Sequence, residues 1–513
     1  MKRGNKGRVL TAKAAQALWL GNRGEAEALA RRAHEAAPRD PEVLHTLADI
    51  ALILSDINGA AKRLEAAIVH HAPPAPAAWH RLLGELRVRQ GKPGDAVGCF
   101  QAALSSAPDD VETWRWLATV LRHLGHVAAA IQAWRRVLAL SPDDWRARND
   151  LGTALMEAGA LDEADAAFCE AVARGGDSPL VEMNRATLQA RQGRRADAIA
   201  TLRASLALNP DYAPAHAALG FMLRDQREFQ EAAAAFRRAL ALAPDNASAA
   251  CGLGRALLEG SFADQALAVA QAYLQRRPGH AGALALEALS RLALGDGEGA
   301  TRLLDHDRFV SVRTLSTPKG FADLPQFNAA LAAHGASHPT LLSAPPSHAT
   351  AAGLHSGSLL VEPRGPVAAF ERALRAAIDA YRHALPDVPD HPFVANRPQS
   401  VFINMWGIVL QRGGHQIPHI HQDAWLSGVY YAQIPPSVSV DGPAGWLEFG
   451  DADRPFPRRL EPRVVRVRPV EGLLLFFPSY FYHRTVPFDG DGTRISIAFD
   501  VMPASAPPAA QTP

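Results

Sequence analysis

The 513-residue chain has only three cysteines, no dominant sign of charge and no long apolar run. Cys99, Cys169 and Cys251 lie far apart, which excludes a disulfide frame. They read as small buried residues of a reducing compartment, so a cytoplasmic location is expected. The formal net charge is +1 with 20% charged residues, so no bulk basic field recruits nucleic acid. No stretch of about 18 apolar residues exists, so no membrane-spanning helix is expected. The N-terminus, MKRGNKGRVLTAKAAQALWLG, starts basic, but Lys, Gln and Thr interrupt its apolar positions, so it lacks a signal-peptide core. What is present is 48% hydrophobic residues, enough for a folded protein, in a chain too long for one core.

The first three hundred residues carry a period. Pro108, Pro142, Pro210, Pro244 and Pro278 are separated by 34, 68, 34 and 34 residues, and most are followed by Asp. In Ala77–Pro108 the landmarks are Leu83-Gly84, Ala96, Phe100 and Ala103; in Ala213–Pro244 they are Leu219-Gly220, Ala232, Phe236 and Ala239. Trp145–Gly176 repeats them as Leu151-Gly152, Ala164, Phe168 and Ala171. Small residues at these offsets let two helices approach closely, and the aromatic fills the gap to the next pair. One unit departs, with Ala186 in place of Gly and Leu202 in place of the aromatic. Length and pattern resemble the tetratricopeptide repeat. About eight units are expected from Ala12 to Asp305, stacked into a helical solenoid, because no unit can bury its apolar face alone. Such arrays offer extended concave surfaces, so the expected partner is a protein or peptide segment held in the groove, with no nucleic acid and no membrane involved.

After Asp305 the period stops. Phe321–Ala336 is compatible with short helices, and Ser337–Gly357 reads as loop, with His338 and His348 as solvated loop histidines. Gly365–Leu385 places Phe370, Leu374, Ile378 and Tyr381 at helical spacing, and Pro386 stops it. Short strand-like runs follow: Ser400–Gln411, Trp425–Ile434, Trp446–Phe449, Val464–Val467, Leu473–Phe477 and Thr493–Val501. Many short strands separated by turn signals predict a β-sandwich or barrel.

The densest chemistry lies in His415–Pro435, HQIPHIHQDAWLSGVYYAQIP. His421 and Asp423 are two apart, so on an extended chain they point to one side and can converge on one ion. His419 shares that parity. His483 follows in FFPSYFYHRTVPF, and eleven residues later comes Arg494-Ile-Ser496 inside the alternating run RISIAFDV. Asn404 and Trp406 interrupt the apolar run FINMWGIVL, and Trp425, Ser427, Tyr430 and Tyr431 are either pocket lining or core.

H-x-D, a distant His and R-x-S in this order resemble the 2-oxoglutarate- and Fe(II)-dependent oxygenases, in particular the prolyl-hydroxylase-like branch. The resemblance covers roughly residues 305–503, most specifically Asn404 to Phe499. It implies a double-stranded β-helix (jelly-roll) that binds Fe(II), 2-oxoglutarate and O2. The metal ligands it implies are His421, Asp423 and His483, with the carboxylate supplying negative charge. The alternative takes His419 in place of Asp423. For the far carboxylate of the co-substrate it implies Arg494, whose planar fork binds a carboxylate bidentately, helped by the Ser496 hydroxyl. Asn404 touches either co-substrate or a neighbouring strand. The fold class expected is an α + β multidomain chain: a tetratricopeptide solenoid over residues 1–305, a connector over 306–398 with helices packed on the barrel, and the oxygenase core over 399–513. The expected activity is hydroxylation of a protein or peptide side chain presented by the array. Two other readings stand beside it: a small-metabolite oxygenase with a localising array, and a non-catalytic adaptor.

Overall fold

The computed structural model describes residues 2–175, 178–343, 349–438 and 441–504. The chain divides into two compact units, residues 1–142 and 143–503. The division falls inside the repeat array, so the change of secondary structure near residue 305 is not a change of packing.

The first unit holds four helix pairs: α1 (Lys2–Trp19) with α2 (Arg23–Ala36), α3 (Pro41–Ile53) with α4 (Ile57–His70), α5 (Ala77–Arg89) with α6 (Pro93–Ser106), and α7 (Val111–His123) with α8 (Val127–Leu140). The second begins with five more: α9 (Trp145–Glu157) with α10 (Leu161–Ala173), α11 (Pro179–Arg191) with α12 (Arg195–Leu208), α13 (Ala213–Asp225) with α14 (Phe229–Leu242), α15 (Ala247–Glu259) with α16 (Ala263–Arg276), and α17 (Ala281–Leu294) with the short α18 (Gly297–Leu303). The described residues thus hold nine pairs where about eight were expected.

The periodic residues have visible jobs. Asp110 and Asp144, each two residues after a repeat-closing proline, cap α7 and α9 by accepting from Glu112 N and Arg146 N. A Cβ placed on Gly84, Gly152 or Gly220 would lie 2.5, 2.7 or 2.8 Å from the ring of Phe100, Phe168 or Phe236, and these rings are fully buried. Where the array uses Leu202 it can use Ala186, and both are buried: the smaller side chain leaves room for the extra methyl. The turn inside most pairs uses a left-handed residue: Gly21, Gly91, Gly125, Gly159 and Gly193 in five pairs, but Ser55, Arg227 and Ser261 in three others.

After α18 come α19 (His306–Phe309), β1 (Ser311–Thr314), α20 (Leu324–Ala336), β2 (Leu342–Ser343), β3 (Thr350–Ser358), α21 (Val367–Ala384) and α22 (Pro392–Ala395). The helices over 324–336 and 367–384 agree with the sequence. The loop expected over Ser337–Gly357 does not: most of it that is described is strand, because Thr350–Ser358 pairs with the following strand although Ala, Gly, His and Ser carry little β preference. His338 is buried with Nδ1 2.7 Å from Thr340 Oγ1, not solvated, and His348 lies outside the described residues.

The barrel strands are β4 (Val401–His419), β5 (Leu426–Gln433), β6 (Leu447–Phe449), β7 (Val465–Val467), β8 (Leu473–Pro478), β9 (His483–Thr485) and β10 (Arg494–Pro503). They form one curled antiparallel sheet in the order β1-β8-β5-β10-β4-β9-β6-β7, with β3 also on β4 and β2 on β3. β4 is the pivot. Its first half pairs with β10 and its end pairs with β9, and Gly413, at φ 74, lies between the two halves. Helices α20 and α21 bury Phe327, Leu331, Phe370, Leu374 and Ile378 in the same core as Tyr430, Leu475, Phe476 and Phe499.

Helix α17 is apolar on nearly every side, and all but three of its 14 residues are buried. Ala281, Leu284, Ala285 and Ala288 belong to the barrel core, whereas Leu286, Leu289, Leu292 and Ala293 belong to the core of the preceding repeats. The barrel segment after β6 lies on the same helices. Ala452 and Phe456 are buried with α11–α17, Arg454 pairs with Asp225 at 2.8 Å, and Leu460 N donates to Leu292 O at 3.1 Å.

Candidate metal centre

Strand pairing sets His419 opposite His483, one at the end of β4 and the other at the start of β9. Past His419 the chain leaves the sheet, and His421 is held by its N–H donating to Ser479 O at 3.0 Å. The ligand-capable atoms of His419, His421 and His483 all lie within 4.8 Å of one another. Ring centroids are 4.2 Å apart for His419 and His483 and 5.3 Å for His421 and His483.

Each ring has one nitrogen engaged. Nδ1 of His419 lies 2.8 Å from Ile417 O, Nδ1 of His483 lies 2.9 Å from Phe481 O, and Nδ1 of His421 lies 2.8 Å from Asp500 Oδ2. Carbonyl and carboxylate oxygens only accept, so Nδ1 carries a proton in all three, the tautomer that leaves Nε2 of a neutral ring for a metal. Burial, then the charge of His421, pushes His419 down to about 3, and burial holds His483 well below the ordinary imidazole value. Both rings are therefore neutral at pH 7, the form that ligates a metal. Asp500 is itself fixed: its Oδ1 accepts from Ser427 Oγ at 2.7 Å, and Ser427 Oγ lies 2.8 Å from Ser479 Oγ. Trp406 stacks on His421 at 5.7 Å.

Asp423 does not join this group. Its side chain is 79% exposed, and its Oδ1 lies 3.8 Å from His280 Nε2 on the repeat array, which holds its carboxyl below the usual range. The expectation that it shares a face with His421 needs extended backbone. The chain instead turns at Gln422 and Asp423, with Ala424 N donating to His421 O at 3.4 Å, and the carboxylate is carried away.

Arg494 lines the same pocket as the three histidines, with Trp406, Gln416, Leu447 and Phe477. It is 1% exposed, its Nε and Nη1 have no hydrogen-bond partner, and its guanidinium lies 5.0 Å from the centre of the Tyr431 ring. Burial lowers its proton affinity from the ordinary value. Ser496 is buried on the same strand face, opposite Ile408 and Tyr431, but does not line the pocket. Asn404, opposite Asp500, is exposed rather than buried. Of the other residues weighed from sequence, Ser427 supports Asp500, whereas Trp425 donates to Phe393 O at 3.0 Å and Tyr430 donates to Asn328, both inside the core.

Asp500 is the functional residue that sequence reasoning passed over. Its signal was present: it lies six residues after Arg494 in an alternating strand, hence on the same face, and a lone carboxylate in an apolar strand requires a partner.

The residues present fit a divalent metal and a dicarboxylate co-substrate. Three imidazoles converge, each with Nδ1 engaged, and a buried guanidinium in the same pocket has two nitrogens without a hydrogen-bond partner.

A family model described as "Putative 2OG-Fe(II) oxygenase" matches residues 404–500. A tetratricopeptide repeat model matches residues 45–111, 81–134, 117–179 and 183–247. No curated protein matches the chain. Among solved structures, a tetratricopeptide repeat protein from Parabacteroides merdae is 17% identical, covering 49% of this chain and 98% of its own, with a TM-score of 0.44. The C-terminal part of a repeat protein from Cytophaga hutchinsonii is 18% identical over 47% of this chain and 99% of its own, with a TM-score of 0.38. A thermophilic tetratricopeptide protein of Thermus thermophilus is 25% identical over 36% of this chain and 99% of its own, with a TM-score of 0.32. Among the described residues the chain thus joins tetratricopeptide repeats, matched between residues 45 and 247, to a curled antiparallel sheet whose residues 404–500 match the 2OG-Fe(II) oxygenase model and hold a three-histidine cluster where β4 meets β9.

Proposed function

We propose that the barrel is a 2-oxoglutarate- and Fe(II)-dependent dioxygenase that hydroxylates a protein or peptide side chain, with His419, His421 and His483 as the metal ligands. The observation that carries this reading is the convergence of three imidazoles, each with Nδ1 engaged, with a buried guanidinium whose Nε and Nη1 lack hydrogen-bond partners, in one pocket. Bound Fe(II) with 2-oxoglutarate and O2 supplies an oxidant that inserts one oxygen atom into a C–H bond, releasing succinate and carbon dioxide.

The chain's own residues do the rest. Asp500 fixes the His421 ring and its tautomer and places a negative charge one hydrogen bond from a metal ligand. Arg494, 1% exposed, takes the far carboxylate of 2-oxoglutarate through Nε and Nη1, which have no other hydrogen-bond partner. Leu447, Val429 and Phe477 keep the walls apolar, which strengthens that ion pair and keeps water from the reacting carbon. A protein substrate accords with the array, since stacked helix pairs provide extended binding surfaces. The repeats that precede α13 are the ones for this role, because one face of α13, α15 and α17 already carries the barrel.

The test is succinate release by the full chain supplied with Fe(II), 2-oxoglutarate and a cell-derived peptide pool, with mass spectrometry for the gain of one oxygen. Expected are succinate formation and oxidised peptides, both lost in His483→Ala. Absence of succinate above the His483→Ala background, after anaerobic loading with Fe(II) and an aerobic start, would overturn the reading.

A further inference from the structure

The two segments that carry His421 and His483 are both held by residues of the repeat array. At the start of α17, His280 Nδ1 accepts from Ala283 N at 3.1 Å and so caps the helix. An accepting Nδ1 puts the ring proton on Nε2. That Nε2 is buried, has no closer partner, and faces Asp423 Oδ1 at 3.8 Å. Two residues on, Gly282 N donates to Gln422 O at 3.3 Å. A Cβ on Gly282 would lie 2.9 Å from Cys251 Sγ and 3.4 Å from Gln422 Cβ, so the turn rests directly on the helix. The second segment is held from α15. Arg255 is 8% exposed, donates to Asp453 Oδ1 at 2.9 Å, and lies 6.0 Å from the ring of Tyr482, the neighbour of His483.

We infer that the last repeats are part of the catalytic centre. His280 is a positioning residue that, through Asp423, sets the turn aiming His421, and Arg255 does the same for His483 through Tyr482. Asp423 is then a docking anchor for the array rather than a metal ligand. This rests on the proposed metal site and adds to it the origin of its geometry. Three observations converge on it: the fixed tautomer of His280, the glycine-dependent contact at Gly282, and the burial of α17 on both its barrel and its repeat sides. A solenoid tethered only to localise an enzyme requires none of them.

The experiment uses the full chain and Co(II) titrated under argon, followed by visible absorption. His280→Asn keeps an oxygen that caps α17 but is too short to reach Asp423, so it separates the capping role from the positioning role. Asp423→Asn removes the other partner. Expected is a roughly tenfold loss of Co(II) affinity in each single variant, the lower end of what outer partners of metal ligands contribute. The double variant should be no weaker than either single one, because both remove one contact. Thermal unfolding of all three should stay near that of the parent. Unchanged Co(II) affinity in His280→Asn overturns the inference. So does abolition of binding in Asp423→Asn alone, which would make Asp423 a ligand while leaving the oxygenase reading intact. A parent chain that binds no Co(II) would instead remove the metal site, and the inference with it.

Discussion

Replacing Arg494 by Met tests the co-substrate site through stability as well as affinity. Arg494 is among the largest fully buried side chains, and two of its nitrogens lack partners. Each buried donor left unpaired costs roughly 1–3 kcal/mol, so the pair costs the unliganded protein roughly 2–6 kcal/mol. The contact with the Tyr431 ring returns about 2 kcal/mol in a desolvated setting. Met is unbranched and has no donor to leave unpaired, so Arg494→Met should raise the unliganded barrel's stability by about 0–4 kcal/mol. Binding should move the other way. Removing one partner of a buried charge pair costs about 2–5 kcal/mol, or roughly 30- to several-thousand-fold in 2-oxoglutarate affinity. Arg494→Lys should fall between, since it keeps a charge but loses the planar fork. The assay pairs denaturant midpoints without ligand with calorimetric titration of 2-oxoglutarate in the presence of Mn(II). Lower stability combined with unchanged 2-oxoglutarate affinity in Arg494→Met would refute the reasoning.

Asp500→Asn should preserve the hydrogen bond to His421 Nδ1 while removing the charge, weakening metal binding about 10–100-fold in a Co(II) titration, and an unaltered affinity would remove Asp500 from that role. His306, packed on Phe449 and Phe481, is pushed down to about 4 by burial, so the unfolded chain binds the proton first. Its contribution is complete above pH 6.5 and is lost between there and pH 4, up to about 3 kcal/mol. His306→Phe should flatten that part of the pH-stability curve, measured by urea unfolding. A chain beginning at residue 143 should retain slow succinate release, whereas one beginning at residue 305 should expose Phe456 and Ala452 and lose cooperative unfolding by circular dichroism. Ser261→Gly should stabilise the array by about 1 kcal/mol, since Ser261 sits at φ 71 where Gly91, Gly125, Gly159 and Gly193 serve other pairs, and an unchanged melting curve would count against strain there.

The repeats were the most legible part of the chain because a fixed spacing ties the same residues to the same contacts. Gly84 against Phe100 could be anticipated from a neighbouring copy of the pattern, as could its variant Ala186 with Leu202. The metal site was legible to the extent that its residues lie on regular strands. His483 and Arg494, assigned from the resemblance to the oxygenases, do line one pocket. Asp423 does not, because parity holds only for extended backbone and the strand ends at His419, four residues earlier. Which of the three alternating residues leaves the site is decided by a turn and by a contact with His280, more than a hundred residues upstream. The strand over Thr350–Ser358 escaped for a similar reason: its pairing with β4 outweighs its own weak β preference. The burial of α17 on both sides did have a trace in the sequence, AGALALEALSRLAL, whose only charged residues, Glu287 and Arg291, fall on one narrow face.

The doubly buried α17 also limits which parts of the gene can be recombined. A helix pair in a solenoid touches only its neighbours, so pairs before α13 can be duplicated, deleted or exchanged without disturbing the oxygenase. Pairs from α13 to α18 are bound to it by Asp225, Arg255, His280 and Leu292, and any exchange there must carry the barrel along. Under the proposed function, one barrel ending in a fixed six-helix collar would meet new targets by grafting of foreign repeats upstream of Ala213. The junction between α12 and α13 is the place to cut.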